Sequence, residues 1–382
     1  MKRREIVKVL GLGAAAAGLA ACSEQKAPPA AVDCEPAEQP AAAPAAEMAK
    51  PAETIEWKMV TTWPKNFPGL GVGANNLAEL IGQMTGGRIK VKVYGAKELV
   101  GALEIFDAVS RGTAEMGHGA AYYWKGKTRA AQFFAAVPFG LTAQEMNSWL
   151  YHGGGMELWE EVYAEFGLIP GAAGNTGVQM GGWFNREINT VADLKGLKMR
   201  IPGLGGEVLK RAGGTPVLLP GGEIFPSLQS GAIDATEWVG PYNDMAFGLH
   251  KAAKFYYYPG WHEPGTTLEC FINKEAFEKL PEDLQIIVRN AIRVANQDML
   301  ADFTAKNNRA LEQLVNEHNV ELRKFPDEVL KAIKDLSDEV VAEEAAKDPM
   351  SKKVFDSFVQ FRDQAKKWHA VSEQAYLNAR SL

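Results

Sequence analysis

Apolar residues at Ile55, Trp57 and Met59 alternate with polar neighbours, as do Ile89, Val91 and Val93, whereas Leu77, Leu80, Ile81 and Met84 between them share one helical face. Period two on either side of period 3.6 predicts strand, helix, strand, the unit of largely parallel sheets. A second signal is repetition. Residues 105–115 align with residues 224–234, and in both an amphipathic helix is predicted to end near a glycine suited to a left-handed cap, followed by a short strand and a loop. Chance is the competing explanation of the match. If the echo is real, the chain forms two lobes of related build, and the loops after the paired strands face one another across a cleft. Ligands of open α/β sheets bind beyond the carboxyl ends of strands. That singles out Tyr122, Tyr123 and Trp124 in the first loop and Glu237, Trp238 and Tyr242 in the second.

The last third is helical throughout. From Pro281 to about His318, Leu284, Ile287, Ala291, Ile292, Ala295, Met299 and Phe303 line one side of a helix about 50 Å long at 1.5 Å per residue, enough to brace both lobes. Pro326 suits a first helical turn, and two further helices are expected over 327–346 and 351–379. The terminal helix is weakly tied to the lobes by its sequence, which suits packing on a partner subunit or on its own chain.

The amino terminus changes the picture of where the fold resides. Residues 1–21 join a basic head, Lys2, Arg3 and Arg4, to an apolar run from Val9 to Ala21, which reads as an export leader too short to span a bilayer. Arg3 and Arg4 fit a twin-arginine signal and an ordinary basic head equally well. Leu19, Ala20, Ala21 and Cys22 resemble a lipobox, with acylation of Cys22 expected and plain peptidase cleavage the alternative. Residues 22–53, rich in Ala, Pro and Glu, read as a flexible tether, leaving 54–382 to fold. Three cysteines, Cys22, Cys34 and Cys270, imply no disulfide framework. The net charge of -6, with scattered basic residues, excludes a nucleic-acid surface.

Candidate chemistry clusters after apolar segments. Glu237 precedes Trp238, and Glu263 lies in the run from Trp261 to Gly265. Two carboxylates buried together repel and need a cation or proton between them. A hard metal held by Glu237, Glu263, Gln179 and a backbone carbonyl would meet that need; two separate, solvated loop glutamates are the other reading. Arg200, near a predicted strand end, can grip a carboxylate with two parallel hydrogen bonds, or be merely structural. The glycine run from Gly203 to Gly206 opens an anion-binding helix or makes a tight turn. Enzyme motifs fare worse. Residues 69–74 resemble a dinucleotide fingerprint, but no acidic residue ends the next strand to hold a ribose, which counts against an NAD-dependent oxidoreductase. The six histidines have no local partner of the kind a zinc site or nucleophile needs.

From about Ile55 onward the chain resembles the extracytoplasmic solute receptors of tripartite ATP-independent periplasmic (TRAP) transporters, most closely the branch binding 2-oxo acids or lactate. The stretches carrying the resemblance are 62–69, 179–184, 194–200, 234–241 and 258–265. It implies an α/β, two-lobed fold of the periplasmic-binding-protein type II kind, with a long bridging helix and C-terminal helices. It also implies a non-catalytic periplasmic receptor partnered by TRAP membrane subunits, and a homodimer through the C-terminal helix. Arg200 matches the residue that salt-bridges the substrate carboxylate, while Gln179, Glu237, the Trp238 carbonyl and Glu263 match the ligands of a sodium or calcium ion. Gln179 then touches the substrate too, and Tyr123 and Phe67 wall the pocket. One arginine, two glutamates and a monocarboxylate leave two negative charges, which calcium neutralises fully and sodium half. Gly181 stands where lactate-binding relatives carry asparagine, tilting the choice toward a 2-oxo acid such as pyruvate over a 2-hydroxy acid. A sensory binding protein for the same acid is the remaining alternative. Replacing Arg200 by alanine is expected to abolish binding and leave the melting of the ligand-free protein little changed.

Overall fold

The computed structural model describes residues 54–382, so the expected leader, lipobox and tether lie outside the described residues. The alternating start behaves as period two requires. Ile55–Thr61 pairs in parallel with Ile89–Tyr94 on one side and Met116–Gly119 on the other, and the helix Leu70–Met84 crosses between the first two. Trp57, Met59, Leu77, Ile81 and Ile89 are buried together as the core of this lobe. Thr267–Asn273 and Leu168–Asn175 extend the sheet antiparallel, giving five strands. A second sheet of six strands runs in the order Glu321–Lys324, Phe255–Tyr258, Gly182–Phe184, Ala235–Thr236, Lys198–Arg200 and Thr215–Val217.

The chain therefore leaves the first sheet after Asn175, builds most of the second, and returns at Thr267. The two crossing segments, 176–181 and 259–266, lie side by side. Thr176 donates its backbone N–H to the Thr266 carbonyl at 3.0 Å, Gln179 to Glu263 at 3.1 Å, and Gly260 to Gln179 at 2.9 Å. The helix Glu282–Asn316 is the third connection. Leu284, Val288, Ala291 and Ile292 pack on the first lobe, and Phe303 packs on Tyr242 of the second. One helix thus braces both halves, as its apolar face predicts.

The internal echo is structural. Ile105–Ser110 leads through Gly112 at φ +74° to Met116–Gly119, and Gly221–Gln229 leads through Gly231 at φ +75° to Ala235–Thr236. The left-handed backbone at both turns explains why glycine stands there. The final helices are Asp327–Ala345, Pro349–Val371 and Glu373–Arg380. One continuous helix was expected over 351–379, but Ser372 interrupts it at φ -116°, ψ -103°. Its hydroxyl donates to the Trp368 carbonyl at 2.9 Å, the local bonding by which serine competes with the helical ladder. No helix among the described residues is long and apolar enough to cross a membrane.

Glycines in the fingerprint-like segment serve packing. A Cβ on Gly71 would come within 2.7 Å of the Pro64 carbonyl, so the residue lets the helix start close against the loop after the first strand.

Candidate ligand and cation site

Two strand ends of the second lobe and both crossing segments meet at one place. Arg200 closes the strand Lys198–Arg200 and is 1% exposed. Its Nε donates to the Leu219 carbonyl at 3.2 Å, one terminal nitrogen to a Glu237 carboxylate oxygen, and the other to the Tyr123 hydroxyl at 3.2 Å. The guanidinium also lies 5.1 Å over the Trp238 ring. Tyr123 belongs to the short 3-10 turn Ala121–Trp124 of the first lobe, so Arg200 reaches across the cleft. Phe67 stacks on Phe247 at 4.1 Å and sets its ring edge to face with Trp238, closing the apolar side.

The two glutamates are not separate, solvated loop residues. Glu237 follows the strand Ala235–Thr236, Glu263 sits on a crossing segment, and both are buried. Glu263 accepts from the Gln179 side-chain amide at 2.8 Å and the Thr266 hydroxyl at 2.6 Å. Gln179 and Glu263 thus stand on the two lobe connections, Arg200 and Glu237 at strand ends of the second lobe, and Tyr123 and Phe67 on the first. The site is therefore assembled from both lobes and from the segments that connect them.

Burial pushes the Glu237 carboxyl up to about 7 despite the opposing pull of Arg200, and burial followed by repulsion from Glu237 pushes Glu263 to about 7. Burial also works against Arg200, but Glu237 and the tyrosines more than offset it and hold the guanidinium above its usual value. The cluster leaves buried polar atoms without partners: Gln179 Oε1, Glu237 Oε2 and both nitrogens of His262. Two buried carboxylates that each offer an oxygen to one spot, beside a glutamine whose amide oxygen has no partner, suit a hard cation, so the residues fit such an ion.

His262 is a residue that local spacing missed. Along the chain it has no partner, yet its Nε2 lies 3.5 Å from Glu237 Oε2, and Glu237, His262 and Glu263 each offer a ligand atom within 4.8 Å of one another. Burial depresses its pKa to about 4, keeping the ring neutral. Tyr242, by contrast, is not at the site; its hydroxyl accepts from Lys306 at 3.2 Å and its ring packs on Phe303 of the bridging helix. Gly181 also points elsewhere. A Cβ there would run into the Phe325 ring and lie 3.1 Å from the Pro259 carbonyl. The expected link between Gly181 and a substrate hydrogen bond therefore has no geometric basis here. The glycines after Arg200 begin the helix Gly203–Arg211.

A family model described as bacterial extracellular solute-binding protein, family 7 (DctP) matches residues 59–348. The chain belongs to this family. This family 7 protein is 42% identical to a monocarboxylate 2-oxoacid-binding periplasmic protein of Nostoc sp. over 378 residues, 99% of this chain and 98% of the relative. Among solved structures, a TRAP periplasmic solute-binding protein of Pseudoalteromonas atlantica with bound sodium and pyruvate shares 46% identity at a TM-score of 0.83, covering 85% of this chain and 99% of that one. Another from Colwellia psychrerythraea, with bound calcium and pyruvate, shares 44% at 0.83, covering 86% and 100%. The two-lobed α/β fold with a bridging helix is thus that of the TRAP solute-binding proteins, as the resemblance implied.

Behind Tyr123, the fold of the family 7 protein carries a buried carboxylate that the sequence did not single out. Glu269 accepts from Trp124 Nε1 and from the Tyr163 hydroxyl at 2.6 Å, so it anchors the turn bearing Tyr123. Burial lifts it from 4.5 to about 7. A carboxyl raised on folding adds stability that is complete below its unfolded pKa and is lost as pH rises through its folded one. Melting temperatures of the ligand-free protein should therefore decline between about pH 5 and about pH 8, and Glu269→Gln should flatten that decline. Thermal melts across the range check it; parallel curves for the two proteins would remove Glu269 as a source.

Proposed function

We propose that the protein is the periplasmic receptor of a TRAP transporter, binding a small 2-oxo monocarboxylate such as pyruvate together with one sodium or calcium ion. The observation that carries this reading is Arg200, buried beside two buried carboxylates and touching the opposite lobe through Tyr123. A guanidinium so placed grips the ligand carboxylate. Gln179, Glu237, the Trp238 carbonyl and Glu263 hold the ion, Gln179 also touches the ligand, and Phe67 and Tyr123 wall the pocket. When bound, the cation supplies the charge that lets an anionic ligand share a site with two glutamates. Capture is lobe closure, with no bond in the ligand made or broken. The pyruvate-bound relatives support the ligand class.

Two lobe-to-lobe ion pairs flank the cleft, Lys125 with Glu207 at 2.9 Å and Lys97 with Glu223 at 2.9 Å. One pair being exposed and the other partly so, each adds only about 0.2–1 kcal/mol to closure. Export by the leader 1–21 and anchorage through Cys22, with 22–53 as tether, complete the periplasmic reading on sequence grounds. The membrane subunits of the transporter are the partners. A homodimer through the terminal helices is supported by Trp368, Val371 and Tyr376, which are 65%, 73% and 64% exposed. Light scattering on the intact protein should give a dimer mass, and a double change, Trp368→Asp with Tyr376→Asp, should give a monomer; a monomeric parent would reject it.

A thermal-shift screen of small 2-oxo and 2-hydroxy acids, each with sodium or calcium, tests the function. Pyruvate-type acids should raise the melting temperature most. A larger shift with lactate would move the reading to 2-hydroxy acids, and none with either would reject it. Unchanged transport in cells lacking the protein, with a signalling defect instead, would favour a sensory role.

A further inference from the structure

The carbonyl of Trp238, assigned above to the cation, belongs to a loop with no regular partner strand, so something must fix its direction. In a trans peptide the C=O of one residue and the N–H of the next point opposite ways in one plane. The Trp238–Val239 peptide is trans, and the Val239 N–H donates to Asp244 Oδ1 at 3.1 Å. The next amide, Gly240 N–H, donates to the same oxygen at 3.2 Å. The other oxygen, Oδ2, accepts from Trp183 Nε1 at 3.0 Å and the Tyr256 hydroxyl at 2.8 Å, two rings stacked on each other at 3.9 Å. Asp244 is 1% exposed, and four donors from three segments hold its carboxylate in one orientation. Among the described residues no donor engages the Trp238 carbonyl itself.

We propose that Asp244 is a positioning residue which, by pulling the Val239 N–H toward the core of the second lobe, aims the Trp238 carbonyl at the cation held by Glu237 and Glu263. The inference rests on the proposed ion site and adds the residue that builds one of its ligands. Burying a carboxylate without a cationic partner is costly, and four hydrogen bonds offset that cost here. Outer groups that orient metal ligands typically change metal affinity 10- to 100-fold when removed.

Terbium as the probe ion separates aiming from mere stability. It takes oxygen ligands as calcium does, and its luminescence lifetimes in H2O and D2O count the waters it carries. In Asp244→Ala the released peptide can rotate, so the water count should rise by about one and ion affinity fall roughly 10- to 100-fold. In the ion-free protein, hydrogen exchange at the Val239 and Gly240 amides should accelerate. Asp244→Asn, which keeps an acceptor oxygen for the two amides, should retain the parent water count, and Tyr256→Phe, which touches only Oδ2, should as well. Should the alanine chain not fold, Asp244→Ser, too short to reach both amides, serves with the same expectations. A folded Asp244→Ala or Asp244→Ser protein with unchanged water count and affinity overturns the proposal. Failure of the parent protein to bind terbium would instead strike the ion site itself.

Discussion

Arg200→Lys should weaken pyruvate binding by roughly a hundredfold, measured by calorimetry in the presence of the supporting cation. Lysine keeps the charge but offers a point donor in place of a planar fork, and two parallel charge-assisted hydrogen bonds cannot be reproduced by one ammonium. The structure sharpens this, because Arg200 already serves Leu219, Glu237 and Tyr123 at once. Losing one or two such bonds amounts to about 3 kcal/mol, the equivalent of that change in affinity. For the alanine variant, the burial of the pair points to a loss of stability where the sequence alone suggested little change in melting. Arg200 is buried against Glu237, so alanine leaves a buried carboxylate unpaired, a loss on the order of 3–5 kcal/mol. Glu237 can escape part of that loss by taking up a proton. Its pKa, already raised by burial, rises further without Arg200, so the variant should lose stability as pH rises through neutrality and keep more of it in acid. Lysine is therefore the informative substitution for binding and alanine for stability.

Glu237→Gln should lower calcium-supported pyruvate affinity by roughly a hundredfold and lower sodium-supported affinity much less, since affinity for hard cations follows the charge on the ligand set. With Glu237 neutral, the site and its ligand carry one surplus negative charge in place of two. Sodium then balances them and calcium overshoots. The same substitution leaves the buried Arg200 guanidinium without its carboxylate partner, so the ligand-free protein should lose stability on the order of 3–5 kcal/mol and melt lower. Titrations with each cation, beside a melting curve, read both effects. An equal loss with sodium and calcium would mean that Glu237 shapes the pocket without carrying charge to the ion.

Periodicity revealed what is local. The strand, helix, strand opening, the echo around Gly112 and Gly231, and the bridging helix all follow from spacing, because a strand repeats every two residues and a helix every 3.6. Spacing alone did not decide the glutamates. Glu237 and Glu263 meet only because the chain crosses between sheets twice, and nothing near either residue records that crossing. His262 escaped for the same reason: its neighbour Glu237 comes from another segment. Asp244 escaped because it lies on the helix Pro241–Phe247 while its partners, Trp183 and Tyr256, stand on two strands of the second sheet. The packing of Gly181 on Phe325 is likewise invisible until the sheet is formed. The resemblance carried the site further than spacing could, since it drew Arg200, Gln179, Glu237 and Glu263 into one cluster before any fold was described.

One titration bears most directly on the whole account. Protein stripped of cations by chelator is placed in potassium buffer, and pyruvate is added calorimetrically with calcium, with sodium, and with neither. Saturable binding should appear with at least one of the two ions and be lost when it is withheld, with chelator abolishing the calcium-supported heat and sparing any sodium-supported heat. Pyruvate binding of equal strength in the absence of both ions would contradict a site in which Arg200 and a cation hold the acid together.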